Sequence, residues 1–184
     1  MKSLEMSSRI KGHRYVVGVD PSGNFKEGSG HTGLAVYDVS ADEIVCCGYT
    51  YAGDYARFEE YYWATWKQIV LLSKYFNDAP MSIEDYVLYG TKATAQINSQ
   101  LETPRIIGFL MMQCWLNNID VYIRPAVRVK KRWNEDVLVA YGYVHKKDRS
   151  YYLTVDSDTP LMTHELDAIK HAVHCGKFEV RYDS

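Results

Sequence analysis

The sequence has no long apolar run, no excess of either charge and no paired-cysteine pattern. Its four cysteines are Cys46, Cys47, Cys114 and Cys175, with no C-x-x-C among them. Neither a disulfide framework nor a cysteine zinc site is therefore indicated, and free thiols in a reducing compartment are expected. No stretch reaches 18 apolar residues, and the opening MKSLEMSSRIKG lacks the apolar segment of a secretion signal. The expectation is a soluble, cytoplasmic chain with no membrane partner. The net charge is −2, so a wholesale polycation is excluded and any nucleic-acid binding must rest on local charge.

What is present suits one folded domain. A chain of 184 residues buries roughly 70% of its unfolded surface, and two full domains would be cramped. Residues 1–13 read as a flexible N-terminus before a single domain over 14–184, without repeats or low-complexity linkers. Tyr15 to Asp20 is an apolar run that reads as a buried strand. The loop PSGNFKEGSG breaks it, HTGLAVYDV resumes it, and EIVCCGYTY follows after the turn signal SAD. Short connections make these a three-strand meander.

Between Tyr55 and Asn77, Phe58, Tyr62, Trp66, Ile69, Val70 and Tyr75 recur at helical spacing, which predicts an amphipathic helix. MSIEDYVLYG reads as a fourth strand, Pro104 to Leu116 as a helix with proline in its first turn, and IDVYIRP as a fifth strand. After an uncertain stretch, DSDTPLMTHELDAIKHAVHCGK predicts a last helix with Thr159 or Thr163 as cap, Gly176 as stop and a core stripe of Met162, Leu166, Ile169 and Val173. The helix Pro104 to Leu116 is apolar nearly all round. That predicts burial on two sides and suits a dimer interface.

Three acids fall where the elements can bring them together: Asp20 on the first strand, Glu84 on the fourth and Asp167 on the last helix. Side chains alternate along a strand, so one of Glu84 and Asp85 points inward, and a carboxylate within MSIEDYVLY needs a partner or a metal. Hard divalent cations favour carboxylate oxygens. A pair of them about 3.5 to 4 Å apart can clamp the attacking and leaving oxygens of a phosphodiester. An aspartate before Pro-Ser-Gly is also a common turn former. His164 lies three residues before Asp167 and shares its helix face. Glu165 points elsewhere and reads as a solvated acid complementing the helix dipole. His171 and His174 extend the same stripe, but a ten-residue span covers about 15 Å, too long for one zinc ion to bridge.

Taken in order, VVGVDPSG, TGLAVYD, SIEDYVLYG, RPAVRVKKRW and HELDAIKHAVH resemble the RuvC Holliday-junction resolvases of the RNase H-like superfamily, over about Tyr15 to Cys175. The resemblance implies an α/β RNase H-like fold, with a five-stranded mixed sheet of a three-strand antiparallel meander and two parallel strands, flanked by helices. It implies catalytic and metal-holding roles for Asp20, Glu84, His164 and Asp167. His164 stands where the family usually has an acid; Glu165 or Asp158 is the alternative source of a fourth carboxylate. It further implies two Mg²⁺ or Mn²⁺ ions per site, a homodimer, and paired nicks in four-way or other branched DNA. A phage-type member in a bacterial or phage-infected cell is expected.

From Arg124 to Arg149 there are eight Lys or Arg and three acids, a local charge of +5. Lys130, Lys131, Arg132, Lys146 and Lys147 are thereby candidates for phosphate contact, and Tyr89 and Lys92 for contact near a junction. A solvated basic face explains the same charges. The competing functions are a nuclease for flaps or RNA–DNA hybrids, a junction binder without catalysis, and a sugar-kinase or actin-like phosphate binder. The last needs a second lobe for which the chain has no room.

Overall fold

The first strand is buried on both faces and the rest of the sheet is laid out around it. The computed structural model describes residues 12–26, 28–86 and 101–180. In it β1 (Tyr15–Asp20) is the middle strand of five, in the order β3-β2-β1-β4-β5. The strands β2 (His31–Asp38) and β3 (Glu43–Tyr51) continue it as an antiparallel meander. On its other side β4 (Met81–Asp85) and β5 (Val121–Pro125) run parallel. The expected mixed sheet is thus observed.

Helices cover both faces. On one lie α1 (Phe58–Tyr75) and α2 (Glu102–Leu116), whose Tyr61, Trp66, Ile69, Ile106 and Leu110 pack on Val17, Val19, Met81 and Ile83. Pro104 sits in the first turn of α2, where no intrahelical donor is lost. The other face carries the last helix, α5 (Thr163–Phe178). The uncertain stretch before it folds as α3 (Ala126–Arg132), α4 (Glu135–Ala140) and a hairpin of β6 (Val144–Lys147) with β7 (Ser150–Leu153). Val129, Trp133, Leu138 and Tyr143 of this stretch share a core with Leu166, Ile169 and Val173 of α5.

At the turn joining β2 to β3, Asp42 accepts hydrogen bonds from Tyr37 Oη (2.6 Å) and Tyr143 Oη (2.5 Å), and Lys177 Nζ lies 2.6 Å from its other oxygen. One carboxylate at the far end of the sheet from Asp20 therefore ties together β2, the stretch before β6 and the end of α5.

The approach of α5 to the sheet is set by absent side chains. A Cβ on Gly18 would stand 2.0 Å from the carbonyl oxygen of Ala168, and one on Gly33 would stand 2.0 Å from that of His164. Gly33 pairs with Asp20 across the β1–β2 ladder. Helix backbone thus lies directly on strand backbone, beside the last residue of β1.

Several expectations at helix ends and faces are corrected. Neither Thr159 nor Thr163 caps α5: Met162 is the N-cap, and Glu165 accepts a hydrogen bond from its N–H at 2.9 Å. Glu165 is buried in this contact with its own N-cap and is not a solvated acid. Gly176 does not stop the helix, which runs on to Phe178; its Cβ would instead fall 2.5 Å from the Tyr37 ring. Met162 is half-exposed, and Tyr75, placed by spacing on the buried face of α1, is 81% exposed. Within the single chain helix α2 is buried on one side, and its other side, with Met111, Met112, Trp115 and Leu116 exposed, is the one a second chain would have to cover for the expected two-sided burial. Tyr89 and Lys92 lie outside the described residues, as does most of the N-terminal stretch expected to be flexible.

Gly18→Ala is expected to destabilise the protein by about 1–3 kcal/mol, since an extra methyl is forced against helix backbone. Gly48→Ala on β3 meets nothing within 4 Å and should leave the melting temperature within error. Equal melting temperatures for the two variants in a thermal scan would refute this account of helix seating.

Candidate metal centre

The ladder between β1 and β4 positions the first two acids. Val17 pairs with Met81 and Val19 with Ile83, so Asp20 and Glu84 each stand one residue further on. Being in phase with Gly18 and Ser82, both project to the face that α5 covers. Asp85 takes the opposite phase. Asp167 comes down from α5, one turn after the close approach at Gly33. Ligand atoms of Asp20, Glu84 and Asp167 all lie within 4.8 Å of one another. Three separate elements thus deliver three carboxylates to one point at the C-terminal ends of parallel strands, where ligands of open α/β sheets collect.

A framework behind Asp20 holds the strand end still. Thr32 Oγ1 and Tyr61 Oη are 2.7 Å apart, Tyr61 donates to the carbonyl of Ser22 at 2.9 Å, and Ser22 N–H donates to Thr32 Oγ1 at 3.3 Å. Further along the loop, Gly23 N–H donates to Thr103 Oγ1 (3.1 Å) and Phe25 N–H to Glu102 (2.9 Å) at the start of α2. These bonds draw the glycine-bearing loop toward α2 and away from the acids.

The carboxylates are held against cations of the chain itself. Lys130 Nζ lies 2.6 Å from Asp167 Oδ2 and 3.0 and 3.2 Å from the two oxygens of Glu84. Lys170, only 4% exposed, reaches Asp167 Oδ1 at 2.8 Å and Glu135 Oε1 at 2.6 Å. His164 Nδ1 is 2.5 Å from Asp20 Oδ2. The fully buried His171 brings Nε2 to 3.3 Å from Glu84 Oε2.

Burial pushes the Asp20 carboxyl up to about 6, the neighbouring Glu84 and Asp167 charges adding to the rise and His164 opposing it. Burial pushes Glu84 upward too, but His171 and Lys130 outweigh it and hold this carboxyl at about 2. His164 is raised, mainly by its hydrogen bond to Asp20. Lys130 is raised as well, because Asp167 and Glu84 overcome the effect of its burial.

The donor set fits a hard divalent cation. It is all carboxylate, and an ammonium group already bridges two of the acids, so the electrostatics of the point favour positive charge. Glu84 Oε2 is moreover buried without a hydrogen bond of good geometry. Asp20, Glu84 and Asp167 are the residues that would hold such an ion.

Of the residues expected here, the three acids meet and His164 joins them through Asp20. Glu165 is committed to its helix cap, and Asp158 is exposed. Lys130, expected on phosphate, sits instead among the acids. Lys131 and Arg132 occupy other faces of α3, where they line a concavity of about 1030 Å³ with Arg128, Val127, His174 and Phe178. The Arg132 guanidinium lies 3.8 Å above the Phe178 ring. Lys146 and Lys147 are exposed on the β6–β7 hairpin. Lys170 and Glu135 are not among the residues that sequence reasoning singles out for the site, and His171, placed on the Asp167 stripe and weighed there only as a zinc ligand, meets Glu84. The usable signal is spacing: Lys170 and His171 lie three and four residues after Asp167 on a helix, hence on its face.

Neither a protein-family model nor a curated protein matches the chain. Among solved structures, T. thermophilus RuvC in complex with Holliday junction substrate matches with a TM-score of 0.63 at 15% identity, over 88% of this chain and 91% of that one. Thermus thermophilus RuvC matches with a TM-score of 0.55 at 13% identity, over 86% and 91%. The chain therefore has the RNase H-like fold of RuvC.

Because a proton on Asp20 competes with a cation, metal affinity should weaken as pH falls through about 6, by up to about tenfold per pH unit below it. Mn²⁺ titrations of the metal-free protein between pH 5 and 8 test this. An affinity constant across that range would contradict it.

Proposed function

We propose that this chain is a divalent-metal-dependent endonuclease that cuts branched DNA, four-way junctions foremost, by paired nicks. The observation that carries the reading is the convergence of Asp20, Glu84 and Asp167 at the strand ends of a RuvC fold. Phosphodiester hydrolysis needs an activated water, stabilisation of a pentacoordinate phosphate and a proton path. A bound divalent ion supplies Lewis acidity toward the phosphate and lowers the pKa of the attacking water. Asp20, Glu84 and Asp167 hold that ion. His164 uses Nδ1 toward Asp20, which leaves Nε2 to take the proton of the attacking water. The Lys130 ammonium, one third exposed, supplies a fixed positive charge where the phosphate develops negative charge.

In this reading Lys131, Arg132, Lys146 and Lys147, joined by Tyr89 and Lys92, contact the arms of the junction. Support comes from the exposed cations along α3 and the hairpin, in a chain whose overall charge is slightly negative. A second copy of the chain supplies the second nick. The exposed apolar side chains Trp63, Met111, Met112, Trp115 and Leu116 on α1 and α2 offer it a surface to cover.

Labelled four-way junctions, flaps, duplexes and RNA–DNA hybrids, incubated with Mg²⁺, Mn²⁺ or EDTA, test the reading directly. Symmetric, metal-dependent nicks on the junction are expected, falling by about a thousandfold or more in Asp20→Asn. Hybrid cut as fast as junction, or cutting that survives the substitution, would refute it.

The double substitution Lys131→Gln/Arg132→Gln should weaken junction binding and reduce the slope of log K against log salt by up to about 2, roughly 0.9 for each phosphate no longer neutralised. Fluorescence anisotropy in a salt series measures both. An unchanged slope would place the phosphate contacts elsewhere.

A further inference from the structure

We propose that the outer edge of β3 is a docking site for an extended segment of another protein, which joins the sheet as a further strand and alternates aliphatic with basic side chains. Among the described residues β3 pairs with β2 alone, at the end of the order β3-β2-β1-β4-β5. The phase of its ladder follows from the Ala52 N–H, which donates to the Gly30 carbonyl at 2.8 Å. Counting back along the register, Thr50 and Gly48 exchange hydrogen bonds with β2, while Tyr49 and Cys47 turn their N–H and C=O outward. No other backbone group among the described residues meets these. The segment from Cys46 to Tyr51 has no lysine, arginine or proline, the usual guards of a sheet edge, and the irregularity of the ladder lies before it, opposite Val36 and Tyr37.

Each face of this edge carries a cavity. Cys46 and Gly48 pair with Val36 and Leu34, whose side chains belong to the α1 face, and there a cavity of about 660 Å³ is walled by Leu34, Leu71, Leu72 and Tyr75. A Cβ on Gly48 would meet nothing within 4 Å, and Leu71 and Tyr75 are exposed. Cys47 pairs with Ala35 of the α5 face, and there a cavity of about 480 Å³ lies among Tyr49, Leu153, Val155, Leu161 and Asp156. Side chains of an added strand alternate between the two faces, so main-chain bonds supply affinity and the cavities supply specificity. The first cavity takes an aliphatic side chain. The second takes a lysine or arginine, its methylenes along Leu153 and Val155 and its charge at the exposed Asp156. A second copy of β3 does not meet these requirements. Paired antiparallel about a two-fold axis, it brings its own Cys46 and Gly48 to the α1 face, and neither fills the larger cavity.

A labelled peptide alternating valine with lysine, long enough to span β3 and titrated with the full chain by fluorescence anisotropy, tests this. It should bind about tenfold or more tightly than a peptide of the same composition with its valines grouped at one end. Two further versions carry backbone N-methyl groups, on the valine amides or on the lysine amides. Only one set of amides faces β3, so one version should bind about tenfold or more weakly than the other. Gly48→Leu, which fills the cavity on the α1 face, should bind the alternating peptide about tenfold or more weakly while its circular dichroism stays that of wild type. Equal binding of the alternating and grouped peptides, equal binding of the two methylated versions, or wild-type affinity in folded Gly48→Leu would overturn the proposal. So would a wild type that does not bind the alternating peptide; if Gly48→Leu then also turns a dimer into a monomer in sedimentation, the edge belongs to a second copy.

Discussion

The contact on which the structure depends is backbone against backbone: α5 resting on β1 and β2 at Gly18 and Gly33. A helix on a sheet is normally kept about 10 Å away by the side chains between them. Two glycines remove that spacer at the end of the sheet where Asp20 and Glu84 emerge. Asp167 is thereby lowered to within a cation's reach of both, and His164 meets Asp20 at hydrogen-bonding distance. The parallel register of β1 and β4 does the rest, since Val19 opposite Ile83 leaves the two acids side by side.

Concentrating carboxylates in this way carries an electrostatic penalty that the chain offsets from within. Lys130, His164, Lys170 and His171 each come from a helix and reach a carboxylate, so that no acid of the trio is without a cationic or imidazole neighbour. The environment nonetheless separates the acids. Glu84 is strongly stabilised as the anion, while burial raises the proton affinity of Asp20. Such divergence within one cluster is the usual mark of groups assigned to different tasks.

Much of this arrangement is legible in the amino-acid order. The apolar run ending at Asp20, the acid within MSIEDYVLY and the HELDA helix each report their element, and short loops constrain the meander. The internal cations are harder to see. A lysine in a basic run reads as a phosphate ligand, and nothing local distinguishes Lys130, which points inward, from Lys131 beside it; the difference is the rotation of α3 against α5. Glu165 is hard to read for a related reason. An acid in the first turn of a helix suits solvent and dipole alike, and only the descent of α5 onto Gly33 buries it over its own N-cap. Gly176 has the composition of a stop signal but serves as a flat spot for the Tyr37 ring. In each case the missing information is which surface another element will press upon.

The Asp42 cluster gives the stretch between β5 and α5 a mechanical character. At one end this stretch is fastened to the acids through Lys130 and to Lys170 through Glu135; at the other, Tyr143 is fastened to Asp42 beside Lys177. The two fastenings lie along α5, a helix about 24 Å long. Between them, Val129, Trp133 and Leu138 pack against α5. One wall of the acidic cleft is therefore held to α5 at two separate points, by Lys170 with Glu135 and by Asp42 with Tyr143 and Lys177.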